Sequence, residues 1–512
     1  MDHHEIVSVQ LLDLPDELVL LILDHIDPNA LLYLAMLCRR LHYISLPIYF
    51  MRNGINNPAE SAECTMLDSR RDPLSALQMA LFIPHITELS CSLPHYETSI
   101  HPLFPRVRRL ASFLRRLTFV RKVTLELDTP SGLGGDSGDH IETWALEFRD
   151  LLNTILKRGC ISLTLRYGRF FSNAPELHHF RRVVRPVHVL RNAMGAHAVV
   201  PMELDPEACS VSALTHFHIE SSMLLLPPCF SWSLSVLQHS PITCLEFLGT
   251  TLPTKIWSAV LPPMASLVPA LTELKLSNLY GISGVDILLF LVKLPRLKIL
   301  TIGYTEYSRS IQSSFPDSGP IPKLHELTSL HAPSTFISHT LKKKNLPSLE
   351  SLCIAPRRLI LGSRGMRHIA RSVSDIVHRL EKYKLAPTVS LEIHRGQDSD
   401  TEMAADLALV PSEDLMKSLR AITRLIVHSD SDIPAPEFAT LARWIARFPA
   451  LVHVSLRVRS APHEGWATPD MARTILSQQS PTVKSLELNG TLFDAGNTLK
   501  PVAREIPPFI GV

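Results

Sequence analysis

One short pattern recurs through most of this chain: an apolar residue, two others, a second apolar residue, one other, and a third apolar residue. It is clearest at Leu271, Leu274 and Leu276; Leu297, Leu300 and Ile302; Leu349, Leu352 and Ile354; Leu451, Val454 and Leu456; and Val483, Leu486 and Leu488. In each copy a proline stands two or three residues ahead, at Pro269, Pro295, Pro347, Pro449 and Pro481. A proline there ends a helix and favours entry into extended backbone. Weaker copies begin at Ile86, Val120, Cys160, Leu214, Ile242, Leu324, Thr388 and Ile422. Thirteen short strands are therefore expected. Several central intervals match the period of a leucine-rich repeat, Phe247 to Leu276 to Ile302 being 29 and then 26 residues.

Between the strands the pattern reads as helix. Residues 141–158 place Ile141, Trp144, Ala145, Phe148, Leu151, Leu152, Ile155 and Leu156 on one face, with Gly159 positioned for a left-handed cap. Residues 364–384 and 436–447 repeat the theme. The fold class expected is α/β. Strand–helix alternation is shared by a compact domain with one parallel sheet and by an open solenoid. The number of strands exceeds what one ordinary sheet holds and favours the solenoid. Residues 129–140 read as a surface loop, and 172–212 as an insertion with no repeat.

The first fifty residues have a different character. Pro15 suits a first helical position, and Asp16 and Glu17 place negative charge at the positive end of the helix dipole. Leu18, Leu21, Ile22 and Ile26 recur at helical spacing, which predicts a buried stripe on a helix running to about His25. Asp27 followed by Pro28 stops that helix and caps the next. Leu31, Leu32, Leu34, Ala35 and Leu37 make the second helix more apolar than a small three-helix unit can hide, so a partner is expected to cover one side. Cys38, Arg39 and Arg40 close it, and Leu41 begins a third helix.

The run Leu14, Pro15, Asp16, Glu17, Leu18, Ile22, Leu23, Ile26, Asp27, Pro28, Leu31, Leu34, Cys38 and Arg39 resembles the F-box, the module by which substrate receptors dock on the Skp adaptor of cullin-RING ubiquitin ligases. Members usually carry an aromatic residue where Leu41 stands. The resemblance implies an F-box at residues 10–50, and it makes Leu14, Pro15, Leu18, Ile22, Leu23, Ile26, Pro28, Leu31, Leu34, Cys38 and Arg39 the adaptor-binding residues. A linker at 51–80, a leucine-rich-repeat-like solenoid at 81–500 and a tail at 501–512 complete the expected plan. By the same resemblance the chain is the non-catalytic substrate receptor of a Skp-cullin-F-box ligase. An interaction protein that uses the adaptor only for assembly is the alternative.

Other features narrow the field. With 51 basic against 49 acidic residues the net charge is +2, so no general attraction to nucleic acid or membrane is expected. The start Met1-Asp2-His3-His4-Glu5 is unlike a secretory signal, and no apolar run is long enough to span a bilayer, which predicts a soluble intracellular protein. Eight cysteines are scattered singly and read as small buried hydrophobes. The tandem pairs His3-His4 and His178-His179 lack carboxylate or thiol partners in sequence, so neither metal nor cofactor is expected. No nucleophile elbow, phosphate loop or zinc-protease motif is present.

Alternation along each strand names the side chains opposite the apolar ones, on the face where solenoids bind partners. In the middle these are His216, His218, Glu220, Glu246, Glu273, Lys275 and Ser277. Toward the C-terminus they are His394, Arg424, His428, His453, Arg457 and, if the strand continues, Arg459. This second set reads as basic without matching acids, which suits an acidic or phosphorylated target segment held by arginine forks.

Overall fold

The computed structural model describes residues 11–66, 72–94, 103–127, 138–168, 202–303, 321–342, 345–355, 365–395, 407, 413–429, 435–458, 482–489, 491–494 and 502–503. The chain divides into two compact units, Met1–Ile242 and Thr243–Val512.

The first unit opens with three helices, α1 (Asp16–Leu23), α2 (Pro28–Leu37) and α3 (Arg39–Arg52). The Asp27 side chain accepts the Asn29 amide at 2.9 Å, the cap expected from the Asp-Pro break. The same device starts two more helices, Asp72 ahead of Pro73–Met79 and Asp205 ahead of Pro206–Val211. Aspartate supplies an acceptor for an orphan amide, and proline fills a position that has no amide to satisfy. The α2–α3 boundary differs from the reading in which Cys38, Arg39 and Arg40 close the second helix. Cys38 is extended, and Arg39 and Arg40 already belong to α3.

Five parallel strands follow in sequence order: β1 (Ser61–Thr65), β2 (Ile86–Ser92), β3 (Val120–Leu127), β4 (Ser162–Tyr167) and β5 (His216–Glu220). Residues 51–80, expected as a linker, thus hold the end of α3, a strand and a helix. β1 escapes the repeat pattern because only Ala62 and Cys64 are buried, two small residues too weak to register as an apolar alternation. Between β3 and β4 lies α4 (Gly138–Lys157), where Trp144, Ala145, Phe148, Leu151, Leu152, Ile155 and Leu156 are buried as predicted. Gly159 follows at φ +73°, in the left-handed cap.

The second unit continues the alternation with nine parallel strands: β6 (Cys244–Leu248), β7 (Glu273–Ser277), β8 (Ile299–Ile302), β9 (Ser329–Ala332), β10 (Ser351–Ile354), β11 (Thr388–Arg395), β12 (Ile422–Ser429), β13 (His453–Val458) and β14 (Ser485–Leu488). Registers align the apolar positions: Leu274 with Leu300, Leu276 with Ile302, Leu425 with Val454, and Leu456 with Leu488. Each pair buries a rung of the core against the helices, among them Gly365–Tyr383 with Val373 and Ile376, and Ala435–Ile445 with Leu441 and Ile445. Twelve of the thirteen predicted strands lie where the pattern puts them, β9 begins three residues beyond the place given by Leu324 and Leu327, with Leu330 and Ala332 as its buried pair, and β1 is a fourteenth.

The parallel run ends in two antiparallel strands, β15 (Thr491–Asp494) and β16 (Val502–Ala503). Leu488 pairs with Thr491, and the sequence between them is Asn-Gly, a dipeptide that favours tight hairpins. Asn489 also does what a repeat asparagine does. At φ +45° its Oδ1 accepts the Val458 amide of the neighbouring strand at 2.7 Å.

Gly281 tests how tightly the second unit is built. It sits at φ +77°, and a Cβ there would lie 2.1 Å from the Leu252 carbonyl oxygen. Gly249, at φ +62°, has no atom within 4 Å of that position. Gly281→Ala is expected to cost about 3 kcal/mol, from strained backbone plus a clash that must move a neighbouring strand connection. Gly249→Ala should cost only about 1 kcal/mol, since it meets the backbone penalty alone. Urea unfolding of the two variants reads the difference, and equal midpoints would contradict it.

No helix among the described residues is long and apolar enough to cross a membrane. All eight cysteines are free.

Candidate functional site

The first candidate surface lies on the three N-terminal helices. Val19 and Leu23 of α1 point into the unit, together with Leu31, Leu32 and Ala35 of α2 and Leu41, Leu46, Tyr49 and Phe50 of α3. That inward set leaves Leu18, Leu20, Leu21 and Ile22 of α1 exposed, along with Tyr33, Met36 and Leu37 of α2. Leu21 is 63% and Leu37 71% exposed, in helices whose cores are fully closed. The stripe Leu18, Leu21 and Ile22, read from its period as buried, is therefore an outward face. Periodicity reports that a face is apolar and is silent on whether this chain or another covers it.

The adaptor-binding residues inferred from sequence divide accordingly. Pro15, Leu18, Ile22, Pro28 and Arg39 are exposed, and Leu14, Ile26, Leu34 and Cys38 are half-buried. Leu23 and Leu31 are 0% exposed and pack inside the unit. Leu21, Met36 and Leu37 were missing from the sequence-derived set and are among the most exposed.

Two arginines of α3 fix the outward face. The Arg40 guanidinium donates to Asp16 Oδ1 at 2.6 Å, to the Leu14 carbonyl at 2.5 Å and to the Leu12 carbonyl, clamping the lead-in to α1. Arg52 donates to the carbonyls of Leu23, Asp24 and Ile26 at the other end of α1. A cation on carbonyls that the helix leaves unpaired satisfies them and favours the negative end of its dipole.

The second candidate surface is in the second unit, on the face of β9 to β14 opposite the core. His394, Arg424, His453 and Arg457 are half-exposed there, as alternation predicts, whereas His428 is buried. Arg459 lies outside the described residues. The face is not basic without acids. Glu487 stands beside Arg424 at 3.6 Å and His453 at 3.4 Å, and His453 Nδ1 contacts Ser485 Oγ at 2.7 Å. Burial, with Arg424 alongside, holds the His453 imidazole below its ordinary pKa.

Glu392 is the centre of a denser group. It shares a strand face with His394, two residues along, and the parallel register brings in His428 from the adjacent β12 and His331 from β9, two strands away across β10. His428 Nε2 lies 2.7 Å and His394 Nε2 3.6 Å from Glu392 Oε1, and His331 Nε2 contacts Oε2. The rings of His394 and His428 stack at 4.6 Å, inclined by 13°. Burial alone would raise the Glu392 pKa, but the three imidazoles gathered around it hold it well below the carboxylate range. Burial pulls the His331 imidazole down, and Cys353 and Glu392 outweigh it, raising the pKa to about 10. His331, Cys353, Glu392, His394 and His428 carry the groups that bind metals, drawn from four strands. No spacing in the sequence displays that set; His3-His4 and His178-His179 lie outside the described residues.

In the middle of the chain the alternation also holds. His216, His218 and Glu220 share a face of β5, where Arg166 of β4 lies 3.2 Å from Glu220 and 2.9 Å from Glu126. Glu246 lies beside Lys275 in the register of β6 and β7, with Glu273 and Ser277 on the same face, and Lys275 pairs with Glu273 at 3.0 Å.

The F-box domain family matches residues 11–51. No curated protein matches the chain. Among solved structures it is similar to a chain in the crystal structure of the Rad7 and Elc1 complex in yeast, with 10% sequence identity, 88% of this chain and 92% of that chain covered, and a TM-score of 0.34. The matched residues are the three helices whose outward apolar face is described above, and the strands after them repeat in leucine-rich-repeat fashion: this chain carries an F-box domain at residues 11–51 followed by a leucine-rich-repeat-like region.

Proposed function

We propose that the chain is the substrate receptor of a Skp-cullin-F-box ubiquitin ligase. The observation that carries the reading is the outward apolar face of the F-box, Leu18, Leu21, Ile22, Met36 and Leu37, which water alone would leave at a cost. A Skp-type adaptor covers that face and links the chain to a cullin-RING assembly. An interface of ordinary size, about 800 Å² per partner, centred on a few aliphatic anchors serves this purpose. The chain performs no chemistry itself. It holds a target protein near a ubiquitin-charged enzyme, so its contribution is proximity.

The target face in this reading is the exposed row His394, Arg424, His453 and Arg457 of the second unit, flanked by Glu487. Arginine forks there suit an acidic or phosphorylated segment. Arg424→Ala combined with Arg457→Ala is expected to weaken binding of phosphoserine-containing peptides at least about tenfold, the loss of one or two charge-assisted hydrogen bonds. Fluorescence anisotropy on a peptide set reads this, and unchanged affinity removes the face from the proposal.

The ligase reading as a whole is tested in cells. Affinity purification of the full chain should recover a Skp-type adaptor and a cullin, and deletion of residues 11–51 should abolish recovery. Proteins bound to the deleted chain should accumulate in cells that lack it. If bound proteins keep their normal turnover, the chain is not a ligase receptor.

A further inference from the structure

His331 of β9 and Cys353 of β10 are direct neighbours in the parallel register, and Ser390 of β11 continues the same row. Glu392 stands one pleat further along β11, about 6.6 Å on, and its longer side chain reaches back toward that row. The ligand atoms of His331, Cys353 and Glu392 all lie within 4.8 Å of one another. Those of Glu392, His394 and His428 do so as well. Gathering a carboxylate, three imidazoles and a thiol at a largely buried place costs more free energy than apolar side chains of the same size would. Such clusters concentrate at sites with a function.

The two triads are not equivalent. The His394 and His428 rings lie nearly parallel. Lone pairs in the planes of two stacked rings run side by side and do not converge on one ion. Both rings instead lie against Glu392 Oε1, at 3.6 and 2.7 Å, and Oε2 lies against His331. A metal-binding carboxylate is commonly oriented by partners on its other oxygen. The remaining triad offers one nitrogen, one sulfur and one oxygen. A thiolate with an imidazole selects zinc over magnesium or calcium, which take oxygen ligands.

We propose that His331, Cys353 and Glu392 bind one zinc-class divalent ion, with water as the fourth ligand and with His428 and His394 orienting the carboxylate. Bonds of about 2.0 Å to nitrogen and oxygen and about 2.3 Å to sulfur set ligand atoms about 3.3–3.7 Å apart around a tetrahedral ion. Side-chain rotation closes the triad to that spacing and parts His331 from Glu392, which now touch. The ion would tie β9, β10 and β11 together beside the exposed row. The proposal needs only strands of the second unit and stands apart from the ligase reading.

Cobalt(II) titration of the full-length chain, stripped with a chelator, tests it. One equivalent is expected to bind with a near-ultraviolet thiolate-to-cobalt absorption that added zinc abolishes. Cys353→Ser should lose that absorption while far-ultraviolet circular dichroism is unchanged. His428→Ala should keep the absorption and weaken affinity 10- to 100-fold. X-ray absorption of the zinc-loaded wild type, which depends on no variant, should show a single sulfur among nitrogen and oxygen neighbours. A sulfur-free shell, absence of stoichiometric binding, or a thiolate band that survives in Cys353→Ser overturns the assignment.

Discussion

A chain carrying Leu21→Asp and Leu37→Asp is expected to lose capture of a Skp-type adaptor while its unfolding midpoint stays where it was. Both side chains are mostly exposed, so the folded chain loses little packing when they change. In the proposed complex each becomes an apolar anchor, and anchors of this kind contribute roughly 2 kcal/mol or more apiece. A carboxylate placed there adds the cost of burying a charge without a partner. Together the two changes amount to at least a thousandfold in Kd, on the order of 4 kcal/mol. Leu23→Ala and Leu31→Ala are the contrast. Both residues are fully buried, so truncation should destabilise the F-box by about 2–5 kcal/mol. Titration calorimetry with the adaptor and urea unfolding separate the two classes. If the aspartate pair lowers the midpoint as far as Leu23→Ala does, the outward leucines are core residues and the docking face is misassigned.

The second large effect concerns the first unit. Trp232, in helix Cys229–His239, is fully buried, meets Phe217 of β5 edge-on at 6.3 Å, and donates its indole N–H to Asn153 Oδ1 of α4 at 2.9 Å. One side chain thus joins two helices and a strand. Trp232→Ala is expected to cost about 3–5 kcal/mol through the cavity it leaves, a large part of the stability of an ordinary domain. Trp232→Phe keeps most of the ring volume and removes only the donor. That leaves the buried Asn153 amide oxygen without its partner and should cost about 1–3 kcal/mol. Denaturant unfolding of both variants tests the split. A Trp232→Ala midpoint matching that of the wild type would refute it.

The strands of the solenoid-like region were legible because their signal is local. Leu-x-x-Leu-x-Leu with a proline ahead needs only a few neighbouring residues, and Leu274 with Leu276 or Leu486 with Leu488 fall on the buried face as the pattern requires. The Asp27 cap was legible for the same reason. The F-box could be recognised from the order of its residues along forty positions, before any contact was known.

Three things depended on packing. The burial of Leu23 against the exposure of Leu21 follows from which side of α1 meets α2 and α3, and a helical period cannot choose between two apolar sides. β1 has only Ala62 and Cys64 to bury, so its strand exists through pairing with β2. The group around Glu392 is assembled from β9, β10, β11 and β12, whose residues meet only when a parallel register has been set. Local pattern determines where backbone is extended or helical, because hydrogen bonding and apolar spacing act over a few residues. Tertiary structure alone decided which apolar face stays open and which distant imidazoles, thiol and carboxylate share one place, because both depend on distances between segments far apart in the chain.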